Sequence, residues 1–286
     1  MDLTPADRAA FAARTTAIDY PALDRAYCLG SYARVLPVSL TRMIENAYDW
    51  EHLPFVHPLS FAAIALLDEG EWGWRAKVAL PSEADQTQLI ELLVDREANA
   101  WVTTVIDGPG SGLRIHTVAR ALSDSQIVID VRFLLPERPD EPAHEAMILG
   151  ILQTQYTRLY DEDEALMVAR QEALDQRKQR VAMAPSSHDF GAEATLDRDR
   201  PHLFTVSTGR FVLRHYRGRW VAHAAVCPHM LGPLSEADIG PDDLITCPWH
   251  GYRFALADGA EHRGRCGALA QSPKLALIDE HLIATA

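Results

Sequence analysis

The sequence predicts an α+β chain in two parts: a helix-grip domain, built from an antiparallel sheet and a long helix, followed by an all-β module. Three observations carry this. Six runs rich in Val, Ile, Thr and Trp follow one another between 62 and 135 with turn signals between them, the pattern of strands joined by short connections. The stretch 143–180 then has no Pro and only Gly150 as a glycine, the pattern of a long helix. After a change of composition through Pro185, Ser186, Ser187 and Gly191, short strand-like runs resume at 203–207, 211–215 and 220–224. The boundaries drawn from this are 1–180 for the first domain, 181–199 for a linker and 200–286 for the second domain.

Thr4 reads as an N-cap, with Pro5 at the first helical position and Asp7 able to reach back, and opens a helix to about Arg14. A less regular stretch leads through Tyr20-Pro21 and Gly30 to a short strand from Val35 to Val38, and this opening segment is expected to cover the domain behind it. The stretch 45–58 is more specific. On a helix Asn46, Asp49 and His52 recur at three-residue intervals and face roughly one way. Pro54 then disturbs the helix, because it lacks an amide donor, and His57 can converge with His52 across the distortion. Two neutral imidazoles on one wall are two ligands of a divalent iron site, which a carboxylate completes while positions stay open for oxygen. Ordinary core or surface histidines are the competing reading.

The predicted strands are 62–67, 72–80, 89–95, 101–106, 113–121 and 127–135. Within them Trp72, Trp74, Trp101 and Phe133 are either core or the lining of an apolar pocket. In the long helix, Leu152, Tyr156, Leu159, Asp163, Leu166 and Met167 share one stripe, apolar except for Asp163. A carboxylate set in an apolar face must be paired or metal-bound, since a bare buried charge is too costly. Asp163 is therefore the candidate third ligand, with Asp161, on a polar stripe with Thr154, Thr157, Arg158 and Glu164, as the fallback.

The second module carries Cys227-Pro228-His229 and, after the 17 residues 230–246, Cys247-Pro248-Trp249-His250-Gly251-Tyr252. Each loop supplies one thiolate and one imidazole, so together they can hold one metal centre; spacing alone also allows tetrahedral zinc. With Gly232-Pro233-Leu234 and Tyr252-Arg253-Phe254 behind them, these loops resemble the Rieske family over roughly the last 85 residues. The resemblance implies a [2Fe–2S] cluster in which Cys227 and Cys247 bind one iron and His229 and His250 the other, raising the potential relative to four-cysteine clusters. Respiratory Rieske proteins add a cysteine after each pair, joined as a disulfide; here the first loop continues Met230-Leu231-Gly232, which is closer to the oxygenase and ferredoxin branch.

The string Asn46, Asp49, His52, His57 is likewise similar to the mononuclear-iron motif of Rieske non-haem iron (ring-hydroxylating) oxygenases, and Glu162-Asp163 to the late carboxylate of that family. The resemblance implies a START-like helix-grip catalytic domain, a mononuclear Fe(II) on His52, His57 and Asp163, Asn46 beside the ligands, and Asp49 as the carboxylate bridging cluster histidine His250 to the iron. It also implies a ring of three identical subunits. The domain order is reversed relative to the usual oxygenase, so it leaves open whether electrons pass within or between subunits.

At 286 residues, 48% hydrophobic and 23% charged, the chain can bury two ordinary cores. Its net charge of -13 argues against nucleic-acid or anionic-membrane partners. No run of about 18 apolar residues and no basic-then-apolar N-terminus is present, so a cytoplasmic location is expected, with Cys28 and Cys266 unbridged. No Gly-rich dinucleotide fingerprint is found, so electrons are expected from a separate NAD(P)H-dependent reductase or ferredoxin. The expected reaction is O₂-dependent hydroxylation or demethylation of an apolar, ring-containing substrate. The alternatives are an electron carrier fused to a non-catalytic ligand-binding domain, and a zinc-stabilised binding protein.

Overall fold

The first helix forms as its sequence dictates. In the computed structural model, which describes residues 1–81, 86–178 and 185–286, Thr4 Oγ1 accepts from the Asp7 amide and Asp7 Oδ2 accepts from the Thr4 amide. This closed capping box starts α1 (Pro5–Phe11). The helix stops short of Arg14, because the chain tightens there and Arg14 turns to meet Glu91. A second helix that sequence reading missed, α2 (Tyr20–Arg25), is capped by Asp19 accepting from the Ala22 amide. The described chain divides into two units, Met1–Val168 and Ala169–Ala286.

In the first unit β1 (Tyr27–Leu36) is followed by β2 (Ala63–Gly70), β3 (Gly73–Ala79), β4 (Thr87–Asp95), β5 (Ala100–Asp107), β6 (Arg114–Ser123) and β7 (Gln126–Leu135). They form one antiparallel sheet of order β1-β7-β6-β5-β4-β3-β2. The strand expected at 35–38 thus begins at Tyr27, paired along β7 from Tyr27 with Leu135 to Leu36 with Ile127. Its exposed edge alternates polar and apolar residues too weakly for a pattern to show. The long helix α5 (Pro142–Lys178) follows the sheet. A curved antiparallel sheet with a long helix after it is the helix-grip arrangement.

Strand alternation divides the sheet into two faces. Trp74, Ile90, Trp101 and Thr103 point to one side, where Tyr156, Leu159 and Asp163 of α5 meet them. The intervening residues point to the other side, and one of them is Glu91, 1% exposed. Its carboxylate accepts from Arg14 Nε at 3.0 Å, Arg14 Nη2 at 2.7 Å and Arg75 Nε at 2.7 Å. Arg75 also donates to the Thr15 carbonyl at 2.8 Å and stacks on Trp72 at 4.6 Å. This ionic clamp fastens the N-terminal segment over the sheet, so the expected covering role has a definite attachment point.

The second unit contains β8 (Ser187–Ala192), β9 (His202–Val206), β10 (Gly209–Tyr216), β11 (Arg219–Ala224), β12 (Leu244–Thr246), β13 (Arg253–Ala255), β14 (Lys274–Ile278) and β15 (His281–Thr285). They make sheets of order β11-β10-β9, β12-β13 and β14-β15-β8. Phe204, Phe211, Leu213, Leu282 and Ala284 form a core among them. The expected linker therefore needs correction. Residues 181–184 lie outside the described residues, as do 179 and 180 of the expected helix, but Ser187–Ala192 is a strand paired with β15 from Ser187 with Thr285 to Ala192 with His281. Its alternate side chains are half-buried, and its backbone groups are satisfied by the last strand rather than by water. Among the described residues no helix is long and apolar enough to cross a membrane.

The clamp generates a stability prediction. Glu91→Leu leaves the Arg75 guanidinium buried without its anion and is expected to cost about 3–5 kcal/mol in urea unfolding. Adding Arg75→Met to that variant should recover most of the loss. A single-variant cost below ~1 kcal/mol would contradict the clamp.

Candidate metal centres

The first centre depends on a bend in the chain. Ser39 caps α3 (Leu40–Tyr48) by accepting from the Arg42 amide, and the helix ends at Asp49, whose φ of -81 and ψ of 81 are not helical. A 3₁₀ turn, Trp50–His52, and a short helix, α4 (Leu53–Val56), follow. The continuous helix expected from Asn46 to His52 is thus broken at Asp49, not after Pro54. The reason is local: Pro54 sits in the first turn of α4, where its missing N–H is not needed.

This bend brings His52 and His57 together, 2% and 1% exposed, with their Nε2 atoms 3.3 Å apart. Asp163 Oδ1, carried by α5, lies 3.4 Å from His52 Nε2 and 3.1 Å from His57 Nε2. The three form a buried group whose donor atoms all lie within 4.8 Å of one another. A second carboxylate stands behind each imidazole, hydrogen-bonded to His57 and at ion-pair distance from His52. Glu162 Oε2 is 2.7 Å from His57 Nδ1, and Asp49 Oδ2 is 3.4 Å from His52 Nδ1. A proton on Nε2 bridges to the Asp163 carboxylate, and with the protons on Nδ1 instead both Nε2 atoms would be free to ligate a cation beside it.

The carboxylates and burial set the proton affinities of the group in opposite directions. Burial opposes a charge on His52, but the Asp163 and Asp49 carboxylates outweigh it and lift His52 to about 10. Burial would raise Asp163, yet its bonds to His52 and His57 hold it well below the usual carboxylate range. Burial, with Asp163 nearby, pushes the Tyr156 and Tyr160 hydroxyls upward.

The structure brings Asp163, not Asp161, to the two histidines. Asp161 pairs with Arg34 at 2.6 Å and its side chain is 60% exposed. Asn46 is buried beside the group, and its Oδ1 has no donor among the described residues. Trp74 and Trp101 line the small pocket around the histidines, while Trp72 lies on the opposite face against Arg75 and Phe133 is fully buried against Tyr156. Glu162 escaped sequence reading as a positioning residue; a carboxylate beside a candidate ligand was the available signal. A cavity of about 920 Å³ adjoins the pocket and shares Phe61, Ile90, Thr103, Tyr156 and Leu159 with it.

The second centre is one turn used twice. In 227–232 the Leu231 amide donates to the Cys227 carbonyl at 3.1 Å, and the Cys227 amide donates to the Gly232 carbonyl at 2.8 Å. In 247–252 the Gly251 amide donates to the Cys247 carbonyl at 3.0 Å, and the Cys247 amide donates to the Tyr252 carbonyl at 2.8 Å. The fifth residue of each turn is left-handed, Leu231 at φ 63 and Gly251 at φ 62. Cys227 and Cys247 are buried, and the His229 and His250 rings lie 4.7 Å apart at 82°. The two thiols share a hydrogen bond, so the first thiolate forms below the usual range while the second proton is held far above it. Among the described residues the four cysteines form no disulfide.

Comparison with known proteins addresses this second unit most directly. Residues 187–274 match the family model of the Rieske [2Fe-2S] domain. A 64-residue segment is 39% identical to cholesterol 7-desaturase nvd 1 of Ciona intestinalis, covering 22% of this chain and 12% of that protein. A 77-residue segment is 32% identical to the human Rieske domain-containing protein, covering 26% of this chain and 49% of that one. The matches thus span about an eighth of one curated relative and half of the other. Among solved structures, the Zhui aromatase/cyclase from Streptomyces sp. R1128 is similar to 49% of this chain and 93% of its own, at 12% identity and a TM-score of 0.41. The chain therefore carries a C-terminal Rieske [2Fe-2S] domain, an electron-transfer module, after a helix-grip domain.

Proposed function

We propose that the chain is the oxygenase component of a Rieske non-haem iron system, acting on an apolar, ring-containing substrate. The observation that carries this reading is the convergence of His52 Nε2, His57 Nε2 and Asp163 Oδ1 at 3.1–3.4 Å in a chain that also bears a Rieske domain. Two atoms bound about 2.1 Å from one ion at right angles stand about 3.0 Å apart, so these separations fit one ion on a two-histidine, one-carboxylate face. The donor set also suits iron, with imidazole and carboxylate together and no thiolate.

The turns around Cys227 and Cys247 fit the cluster on their own terms. A Cβ at Gly232 would lie 2.8 Å from Cys247 Sγ and 3.1 Å from the Trp249 ring, so that position is kept clear for the sulfurs. Cys227, His229, Cys247 and His250 would hold the [2Fe–2S] cluster, and His52, His57 and Asp163 the mononuclear iron. When bound, these groups supply single-electron transfer and O₂ activation.

The protein's own part follows from the described contacts. Glu162 orients the His57 imidazole and keeps its proton on the far nitrogen, and the Asp49 carboxylate stands behind His52. Trp74 and Trp101 keep water from the histidines, and the adjoining cavity takes the substrate. Asp49, on the outer nitrogen of His52, is the proposed electron bridge from His250. The electrons come from a separate NAD(P)H-dependent reductase or ferredoxin, and the proposed assembly is a homotrimer.

Metal content tests this reading. Anaerobically purified protein is expected to hold about three iron and two acid-labile sulfide per chain, and His52→Ala/His57→Ala about two of each. Asp163→Ala should behave like the histidine variant, whereas Asp161→Ala should retain the third iron. Two iron and two sulfide in every protein after reconstitution would leave an electron carrier, and zinc without sulfide would reject both readings. Separately, Gly232→Ala is expected to lose most of the visible absorbance of the cluster while keeping the iron on the histidines. Full cluster occupancy in that variant would show that the close approach to Cys247 is not required.

A further inference from the structure

The cavity beside the histidines is apolar over most of its wall, with Ile90, Val105 and Ile115 of the sheet, and Leu80 just after β3, facing Met147 and Leu159 of α5. Among the described residues that line it, one is charged. Arg158 lines the cavity, donates from Nη2 to Ser60 Oγ at 3.1 Å, and has a buried Nε with no partner among the described residues. Gln155 Nε2 also faces Ser60 Oγ, at 3.5 Å.

A guanidinium on a helix ordinarily finds a carboxylate three or four residues on. Here both are taken: Asp161 pairs with Arg34 at 2.6 Å, and Glu162 with His57 at 2.7 Å. Among the described residues that line the cavity there is no Asp or Glu. Arg158 has five N–H donors in a planar fork, and a single hydrogen bond to a hydroxyl leaves both its charge and most of those donors uncompensated.

We infer that the cavity takes a ring compound bearing a carboxylate, with the carboxylate on Arg158 and Ser60 and the apolar body directed towards His52, His57 and Asp163. A guanidinium fork matches a carboxylate in a bidentate pair, and a half-buried one gains more from it than an exposed one. The distance is set by the helix. Arg158 precedes Asp163 by five residues, about 7.5 Å of axial rise and about 140° around the helix, so at least one ring separates the anionic end from the histidine group. Ser60 supports the same placement, because its amide donates to the His57 carbonyl at 2.9 Å. The inference names the substrate class of the proposed reaction and rests on that reading for its purpose, but the anion site stands on its own geometry.

The test is anaerobic binding to the full, metal-loaded chain, followed by tryptophan fluorescence and calorimetry. The probes are benzoate, 3-phenylpropanoate and 2-naphthoate, each beside its primary amide. At least one acid is expected to bind more tightly than its amide by about tenfold or more. Arg158→Gln should abolish that preference while leaving the amide's affinity unchanged, which also shows that the pocket is intact. Arg158→Lys should restore only part of the preference, since a point charge lacks the fork. Equal binding of every acid and its amide, no binding of any acid, or equal weakening of acid and amide in Arg158→Gln would each overturn the inference. Metal content separates the two readings. An Arg158-dependent acid preference in protein lacking the third iron keeps the anion site and rejects the oxygenase, whereas a full third iron with no acid preference does the reverse.

Discussion

Three electron-rich atoms in a dry pocket dominate the first unit. Two imidazole nitrogens and a carboxylate oxygen, all within 3.4 Å of one another and shielded from water, repel unless a proton or a metal ion stands among them. The surroundings sharpen that demand, because Glu162 and Asp49 add negative charge behind the rings. Much of the domain can be understood as the means of holding this arrangement: the bend at Asp49 that turns His52 inward, and the helix that carries Asp163 across from the sheet.

The two faces of the sheet divide the work. On the inner side, aromatic and branched residues surround the histidines and build the adjoining cavity. On the outer side, Glu91 takes two guanidiniums and ties down the N-terminal segment. Both sides bury charge, but with opposite arithmetic. Glu91 is neutralised by guanidiniums of the protein itself, whereas the group around Asp163 and the guanidinium of Arg158 are the places where the proposed metal and anion would add theirs.

Strands were legible because burial on one face imposes alternation, and turn residues mark their ends. Each of the six strands between 62 and 135 was located within a few residues. The paired loops were legible because a thiolate and an imidazole at short spacing have few other uses. Asp163 stood out as polar in an apolar stripe. Other features depend on tertiary context that a single chain pattern does not carry. The short strands β12 to β15 have three to five residues each and little periodicity. The break at Asp49 leaves no local signal, since Pro54 looks like the disturbing residue. Arg158 shares a polar stripe with Asp161, and only the packed structure separates the two: Asp161 lies against Arg34 towards solvent, while Arg158 lines the cavity. β8 was hidden because its partner is the last strand of the chain, about 90 residues away.

The repeated turn at 227–232 and 247–252 has a consequence for assembly. Each loop closes on itself with two backbone hydrogen bonds, so the position of its cysteine is set within its own turn. Binding a cluster then requires little further ordering of the backbone, and less conformational entropy is lost at that moment. The histidine is the third residue of the first turn and the fourth of the second, a one-residue offset between otherwise matching frames. The two halves are therefore near-copies in backbone but unequal in presentation. His250 is buried at 2% exposure while His229 is partly open, so the two histidines of the pair present unequal faces to solvent.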